Sequence, residues 1–235
     1  MFGTYEIGKS VVIAQYTLRM YKDSGVFVYE RAEGSDIISS TVISSASSFC
    51  VHPVEPVTQP KEISHHLLIQ LTEPLYMAPK SQVKCYITFP IEIGVYISSK
   101  GQKEQIDSFT LTHPKYTLYG TPEHGEVCKL WSSSLHHTLP QVDPSCEGIM
   151  KVEITNGSGN WIKITKLVFD AFGMKIFFKD FACMNATMEV INNQTARTTF
   201  VEKPIKEPMK KAVEYFTLRK ILIVEKGGYL MEWGL

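Results

Sequence analysis

Lys151-Val152-Glu153-Ile154-Thr155 and Ile162-Lys163-Ile164-Thr165 alternate apolar and polar residues on either side of Asn156-Gly157-Ser158-Gly159-Asn160. Period-two alternation around a turn is the pattern of half-buried strands. It recurs along most of the chain, whereas helical periodicity is close to absent. Tyr16-Thr17-Leu18-Arg19-Met20 and Val26-Phe27-Val28-Tyr29 flank Lys22-Asp23-Ser24-Gly25 and read as a hairpin. Short strands follow at near-regular spacing: residues 66–71, 83–89, 91–97, 105–111, 115–119, 127–131, 149–155, 161–170, 174–178 and 186–191. The Ser-rich stretch 33–48, with Ile37, Ile38, Val42 and Ile43 inside it, reads as one further exposed-edge strand.

This pattern predicts an all-β fold of β-sandwich type, built as two associated antiparallel sandwich subdomains with at most one short helix. The polar break near 98–105 suggests a division into residues 1–100 and 101–235. The helix candidate is Pro208 to Phe216, where Met209, Ala212, Val213 and Phe216 share a face. Residues 218–224 and 229–233 around Glu225-Lys226-Gly227-Gly228 read as a C-terminal hairpin. The prolines at 53, 56 and 60 favour an extended path that shields a sheet edge.

Twenty-four basic and twenty-four acidic residues cancel, and no run of like charge suits a nucleic-acid-binding arm, so no nucleic-acid partner is expected. Lys203 to Lys211 holds four lysines, but Glu202, Glu207, Pro204 and Pro208 break it into a solvated linker. No apolar stretch is long enough to span a bilayer, and the N-terminus lacks a charged-then-apolar leader, which predicts a soluble, cytoplasmic protein. Five widely spaced cysteines do not form a secreted disulfide framework, so reduced thiols are expected.

No catalytic, nucleotide or metal motif of useful specificity is present. His65-His66 and His136-His137 are adjacent pairs, which on a strand point to opposite faces and do not chelate one ion. Cys50-Val51-His52 and His124 to Cys128 lack the second half of a zinc pattern, so no metal and no cofactor is expected. A nucleophilic reading would pair Cys128 with His124 or His113. Glu92 lies between Ile91 and Ile93 and faces away from them with Gly94 and Tyr96. Tyr116, Tyr119, Trp131 and the loop 120–125 combine aromatics with turn residues, as a binding loop on a rigid scaffold would.

His52-Pro53-Val54-Glu55-Pro56-Val57, Phe89-Pro90-Ile91-Glu92-Ile93-Gly94-Val95-Tyr96 and Lys115-Tyr116-Thr117-Leu118-Tyr119-Gly120-Thr121-Pro122, continued by Gly125, Val127-Cys128 and Trp131, resemble the archaeal "domain of unknown function 432" family. The likeness runs nearly the whole length. It implies an archaeal, intracellular origin and transfers no activity and no catalytic residue. It marks Glu55, Glu92 and the segment from Tyr119 through Thr121 and His124 to Cys128 as candidate binding positions that core packing explains least well.

The leading expectation is a non-enzymatic protein that binds a protein partner or ligand through loops and strand edges, with a homo-oligomer as one form of that. The alternatives are a metal-dependent or cysteine-based hydrolase, built on His113, His124 and Cys128 with Glu92, and a carbohydrate-binding module, built on Trp131, Trp161 and Tyr119.

Overall fold

The computed structural model describes residues 1–59, 63–99, 101–214 and 228–235. The described residues are nearly all β. Nineteen strands, all but two of their pairings antiparallel, form four open sheets, compatible with sandwich packing. The one helical element is a 3-10 turn over Ala171–Gly173.

A smaller core joins two four-stranded sheets. One contains β2 (Ser10–Ile13), β3 (Tyr16–Asp23), β4 (Val26–Glu33) and β5 (Asp36–Ile43) in sequence order. The other is ordered β1 (Gly3–Tyr5), β6 (Ser48–Val54), β9 (Glu92–Ser99) and β10 (Gln102–Phe109). Their facing residues, among them Ile13, Leu18, Met20, Tyr29, Phe49, Val51, Ile93, Val95 and Phe109, form one buried cluster. The hairpin expected at 16–29 is present, with Asp23 paired to Val26. Ser24 and Gly25 have φ of 47° and 93°, the doubly left-handed turn that matches strand twist.

A larger core joins the remaining strands. One sheet is ordered β11 (Lys115–Tyr119), β12 (Glu126–Ser133), β7 (His66–Met77) and β14 (Ile162–Asp170). The facing sheet runs β18 (Lys210–Lys211), β15 (Phe177–Phe178), β16 (Ala182–Val190), β13 (Glu147–Asn156), β8 (Gln82–Pro90); β17 (Ala196–Val201) joins β16 and β19 (Tyr229–Met231). Leu67, Ile69, Ile87, Phe89, Val152, Ile154, Ile164, Leu167, Met184 and Met188 belong to this one buried cluster.

The two strands at 151–155 and 162–165 therefore enter opposite layers and do not pair with each other. Asn156 makes the corner. It is fully buried, its amide donates to the carbonyls of Ala78 and Asn160 at 2.9 Å each, and its oxygen accepts from the Ser158 N–H at 3.0 Å. A buried amide satisfied on both ends costs little and holds the chain's change of direction.

Several expectations are corrected. Two pairs, β7–β12 and β13–β16, are parallel, because alternation identifies a strand's faces and not its neighbours. Across the polar break near 98–105, β9 and β10 pair from Gln102↔Ser99 to Phe109↔Ile93. β7 and β8 pack in the larger core, so the chain passes between the cores between β6 and β7, at Ile91 and at 110–114. The Pro-rich stretch is not an exposed edge. Residues 51–58 are buried, and Pro53 stays in register with Ile93. Proline is tolerated there because β1 pairs β6 only at residues 49–51, leaving no partner for a Pro53 N–H on that side. Residues 208–214 hold no helix; Lys210 and Lys211 pair with Phe178 and Phe177 instead, so tertiary pairing overrides the helical spacing. Residues 215 and 216, and the first arm of the expected C-terminal hairpin, lie outside the described residues. Its second arm forms β19 and pairs with β17.

Candidate functional site

The passage between the two cores carries a buried ion pair. Glu92 opens β9 one residue after β8 ends, and its side chain is 1% exposed. Lys129 of β12 reaches it from the larger core at 2.9 Å and also donates to the Gln59 carbonyl at 2.9 Å. The carboxylate accepts further bonds from the backbone N–H groups of Thr58 and Gln59, at 2.9 and 3.0 Å, and from the Thr58 hydroxyl. Gln59 then donates to the Ser108 carbonyl at 3.0 Å. The 58–59 segment, the start of β9 and Lys129 of β12 meet at this carboxylate. A buried charge with this many donors is structurally compensated.

A second polar group lies at one end of the β11–β12–β7–β14 sheet, assembled from strand termini. His65 Nδ1 meets Asp170 Oδ1 at 3.1 Å, and His66 Nε2 meets Glu126 Oε2 at 3.5 Å. The Tyr229 hydroxyl donates to the same Glu126 oxygen. The two imidazoles lie 4.0 Å apart, and Phe172 stacks on His65 at 4.4 Å. His65 stands at a bend just before β7, its carbonyl accepting from the Ala171 N–H at 2.8 Å, and the two adjacent rings meet there. Asp170 also accepts from the Phe172 N–H at 3.0 Å and so caps the 3-10 turn.

The electrostatics follow from this geometry. Burial, then the neighbouring His65, pushes His66 down against the pull of Glu126 and Asp170. Burial would raise Asp170, but bonds from His65 and the Phe172 N–H hold it below the usual carboxylate range. Burial and the bond to Glu126 raise Tyr229. With Asp170 on Nδ1–H, the Nε2 of half-exposed His65 takes no hydrogen bond among the described residues.

The outer strands of the sheets form a third feature. β10, β11, β14, β8 and β18 carry lysines at positions 103, 115, 163, 166, 84, 210 and 211, and β1, β2 and β19 have only three or four residues. Lysine and shortness both discourage pairing with another chain. β5 has neither lysine nor shortness, and the register shift opposite Arg31 and Ala32 is its one interruption. It spans eight residues with Asp36 as its one charge, and Ile37, Ile38 and Val42 are 53%, 50% and 68% exposed. Among the described residues nothing pairs with its outer side.

A family model described as "Protein of unknown function (DUF432)" matches residues 1–232. The chain belongs to the DUF432 family. No curated protein and no solved structure matches it. The fold and the side-chain geometry of this DUF432 protein are therefore the sources of a functional reading.

Of the positions singled out from sequence, Glu92 is buried in the ion pair and not on a solvated outer face, since Lys129 and the 58–59 backbone compensate it. Glu55 is buried in the turn after β6, where its carbonyl accepts from Val57 at 2.9 Å. Tyr119 is buried, accepts from the Trp233 N–H and donates to the Gly234 carbonyl, both at 3.0 Å, and burial pushes it up to about 12. Thr121 organises its loop: its hydroxyl accepts from the His124 N–H at 3.3 Å and its carbonyl from Gly125 at 2.6 Å. His124 itself is exposed. Cys128 is buried, and burial with the charge of Glu126 pushes its thiol up to about 12, far from a thiolate at neutral pH.

No hydrogen bond or ion pair joins His113, His124 and Cys128 among the described residues, and no cluster of His, Cys, Asp and Glu there is arranged to hold a metal. Of the three rings suggested as a sugar platform, Trp161 is 69% exposed, Trp131 is half-buried and bonded to Thr88 at 3.0 Å, and Tyr119 is buried. Sequence reasoning missed Lys129, Asp170, Glu126 and Tyr229. Strand-terminal position was the available signal for the last three, because polar groups at strand ends collect at the rim of a sheet. No helix among the described residues is long and apolar enough to cross a membrane.

Proposed function

We propose that this protein binds a protein partner by strand addition along β5. The carrying observation is the contrast between edges: β5 is long, uncharged after Asp36 and exposes three branched apolar residues, while the other edge strands are short or lysine-bearing. Strand addition draws affinity from the open backbone groups and specificity from alternate side chains, here Ile38, Ser40 and Val42 on the exposed face. Amide hydrogen exchange with a panel of synthetic extended peptides tests this. Protection concentrated in residues 36–43 is expected; peptides that leave β5 exchange unchanged would refute it.

A second reading rests on the His65–Asp170 pair. An imidazole oriented by a carboxylate, with Nε2 half-exposed, is equipped for general-base activation of water. Saturable hydrolysis of a chromogenic ester or phosphoester, abolished by His65→Gln, would favour it over partner binding.

A further inference from the structure

We infer that the strand added to β5 is the β5 of a second copy, related by a two-fold axis through Ser40. This rests on the strand-addition reading and names its partner. A two-fold axis normal to the sheet pairs the two strands antiparallel and keeps outer faces together, so paired positions must sum to an even number.

A sum of 80 places Ile38 against Val42 twice and Ser40 against itself on the outer face. On the inner face Ser39 meets Thr41; Ile37 lies beyond the register shift and is exposed while Ile43 is buried, so the matched stretch ends at Ile38. Apolar pairs with apolar, hydroxyl with hydroxyl, in the combinations that stabilise cross-strand neighbours. Shifting the sum to 78 sets Asp36 against Val42 and leaves Ile38 facing Ser40. Only the first register keeps both exposed apolar positions matched.

Charge supports the same pairing. Asp36 falls opposite Ser44, and the acidic Glu33 to Asp36 end of one copy runs beside Ser44-Ser45-Ala46-Ser47 of the other, where no charge opposes it. The register shift opposite Arg31 and Ala32 adds Ile38 to the strand, and both Ile37 and Ile38 are exposed there. A hairpin edge of this length makes a small interface, so the dimer is concentration-dependent.

Sedimentation of the full chain over roughly 1 µM to 1 mM should show monomer passing to dimer. Val42→Lys, on an exposed position, should hold the chain monomeric with unchanged circular dichroism. Paired Cβ atoms lie about 5 Å apart, so Ser40→Cys in a Cys146→Ser background should cross-link under mild oxidation. Ser10→Cys, on the opposite edge of the same sheet, should not. A monomer throughout, or a dimer that survives Val42→Lys without the Ser40 cross-link, overturns the inference. If the chain is monomeric and peptides still protect β5, the self-pairing fails and strand addition stands; if neither occurs, both fail.

Discussion

Replacing Lys129 with methionine should expose how strongly the junction between the two cores depends on one buried charge pair. The stem length is kept, so the principal loss is the ammonium that reaches Glu92 and the Gln59 carbonyl, both at 2.9 Å. Removing one partner of a buried pair costs about 3–5 kcal/mol, because the remaining charge stays buried. Glu92 retains three donors from Thr58 and Gln59, which places the expected loss at the lower end, about 3 kcal/mol. For a chain of this length that corresponds to roughly 6–12 °C in Tm. Glu92→Gln keeps the shape but places an amide N–H₂ among donors, with a similar cost. The double variant Glu92→Gln/Lys129→Met should lose less than the sum of the two, giving a coupling of about 1–3 kcal/mol. Guanidinium titrations followed by tryptophan fluorescence measure all four states. A loss below about 1 kcal/mol for Lys129→Met, or strict additivity in the cycle, would refute the account of the junction.

His52 is buried and accepts from the Val213 N–H through Nδ1 at 3.1 Å, and burial with the charges of Lys103 and Lys210 lowers it from 6.5 to about 4. The unfolded chain therefore takes up a proton that the folded chain refuses, so stability is full above pH 6.5 and falls as pH drops toward 4, by about 3 kcal/mol from this residue. His52→Gln should flatten the stability profile in that window; an unchanged slope from denaturation at several pH values would count against the assignment. Burial should keep the thiols of Cys85 and Cys128 from iodoacetamide at pH 8 in the folded protein, and half-exposed Cys146 should be alkylated first, although burial and Asp143 push its thiol up to about 11 as well; mass mapping showing Cys128 modified early would contradict its burial. Gly148→Ala would place a Cβ 2.3 Å from the Phe89 ring in the larger core and should destabilise by about 1–3 kcal/mol, measured by denaturant midpoint, while tolerance would show that Phe89 can move.

The strands were legible because burial on one face writes itself into the chain at every second residue. β13 shows this directly: Val152, Ile154 and Asn156 are buried while Lys151, Glu153 and Thr155 are half-buried between them. What alternation cannot encode is the partner of each strand. Asn156 to Asn160 has the composition of a hairpin turn, yet it carries the chain from one sheet to the other, and only the contacts of the Asn156 amide with Ala78 and Asn160 distinguish the two outcomes. The passages of the chain between the two cores are hard to read for a related reason. A polar, Gly-containing break marks any exposed turn, whereas the chain also passes between the cores at Glu55 to Thr58 and at Ile91, where it is buried.

The polar residues follow the same logic at one remove. Glu92 looked like an outward-facing residue because its neighbours Ile91 and Ile93 claim the core, and for an isolated sheet that inference holds. Here the opposite face of β9 meets the 55–59 segment and Lys129, so both faces are covered and the carboxylate must be neutralised from within the chain. His65 and His66 were read as an adjacent pair that on a strand does not chelate one ion; their rings lie 4.0 Å apart with His65 at a bend before β7. Each misreading came from treating a residue within its own strand, while the chemistry lies where strands end or where two cores share a wall. β5 is the complementary case: its lack of lysine and its exposed branched residues are local properties, which is why an edge strand was readable at 33–48 before any neighbour was known. An exposed edge formed by one continuous strand leaves a trace in sequence that a polar group gathered from four strand ends does not.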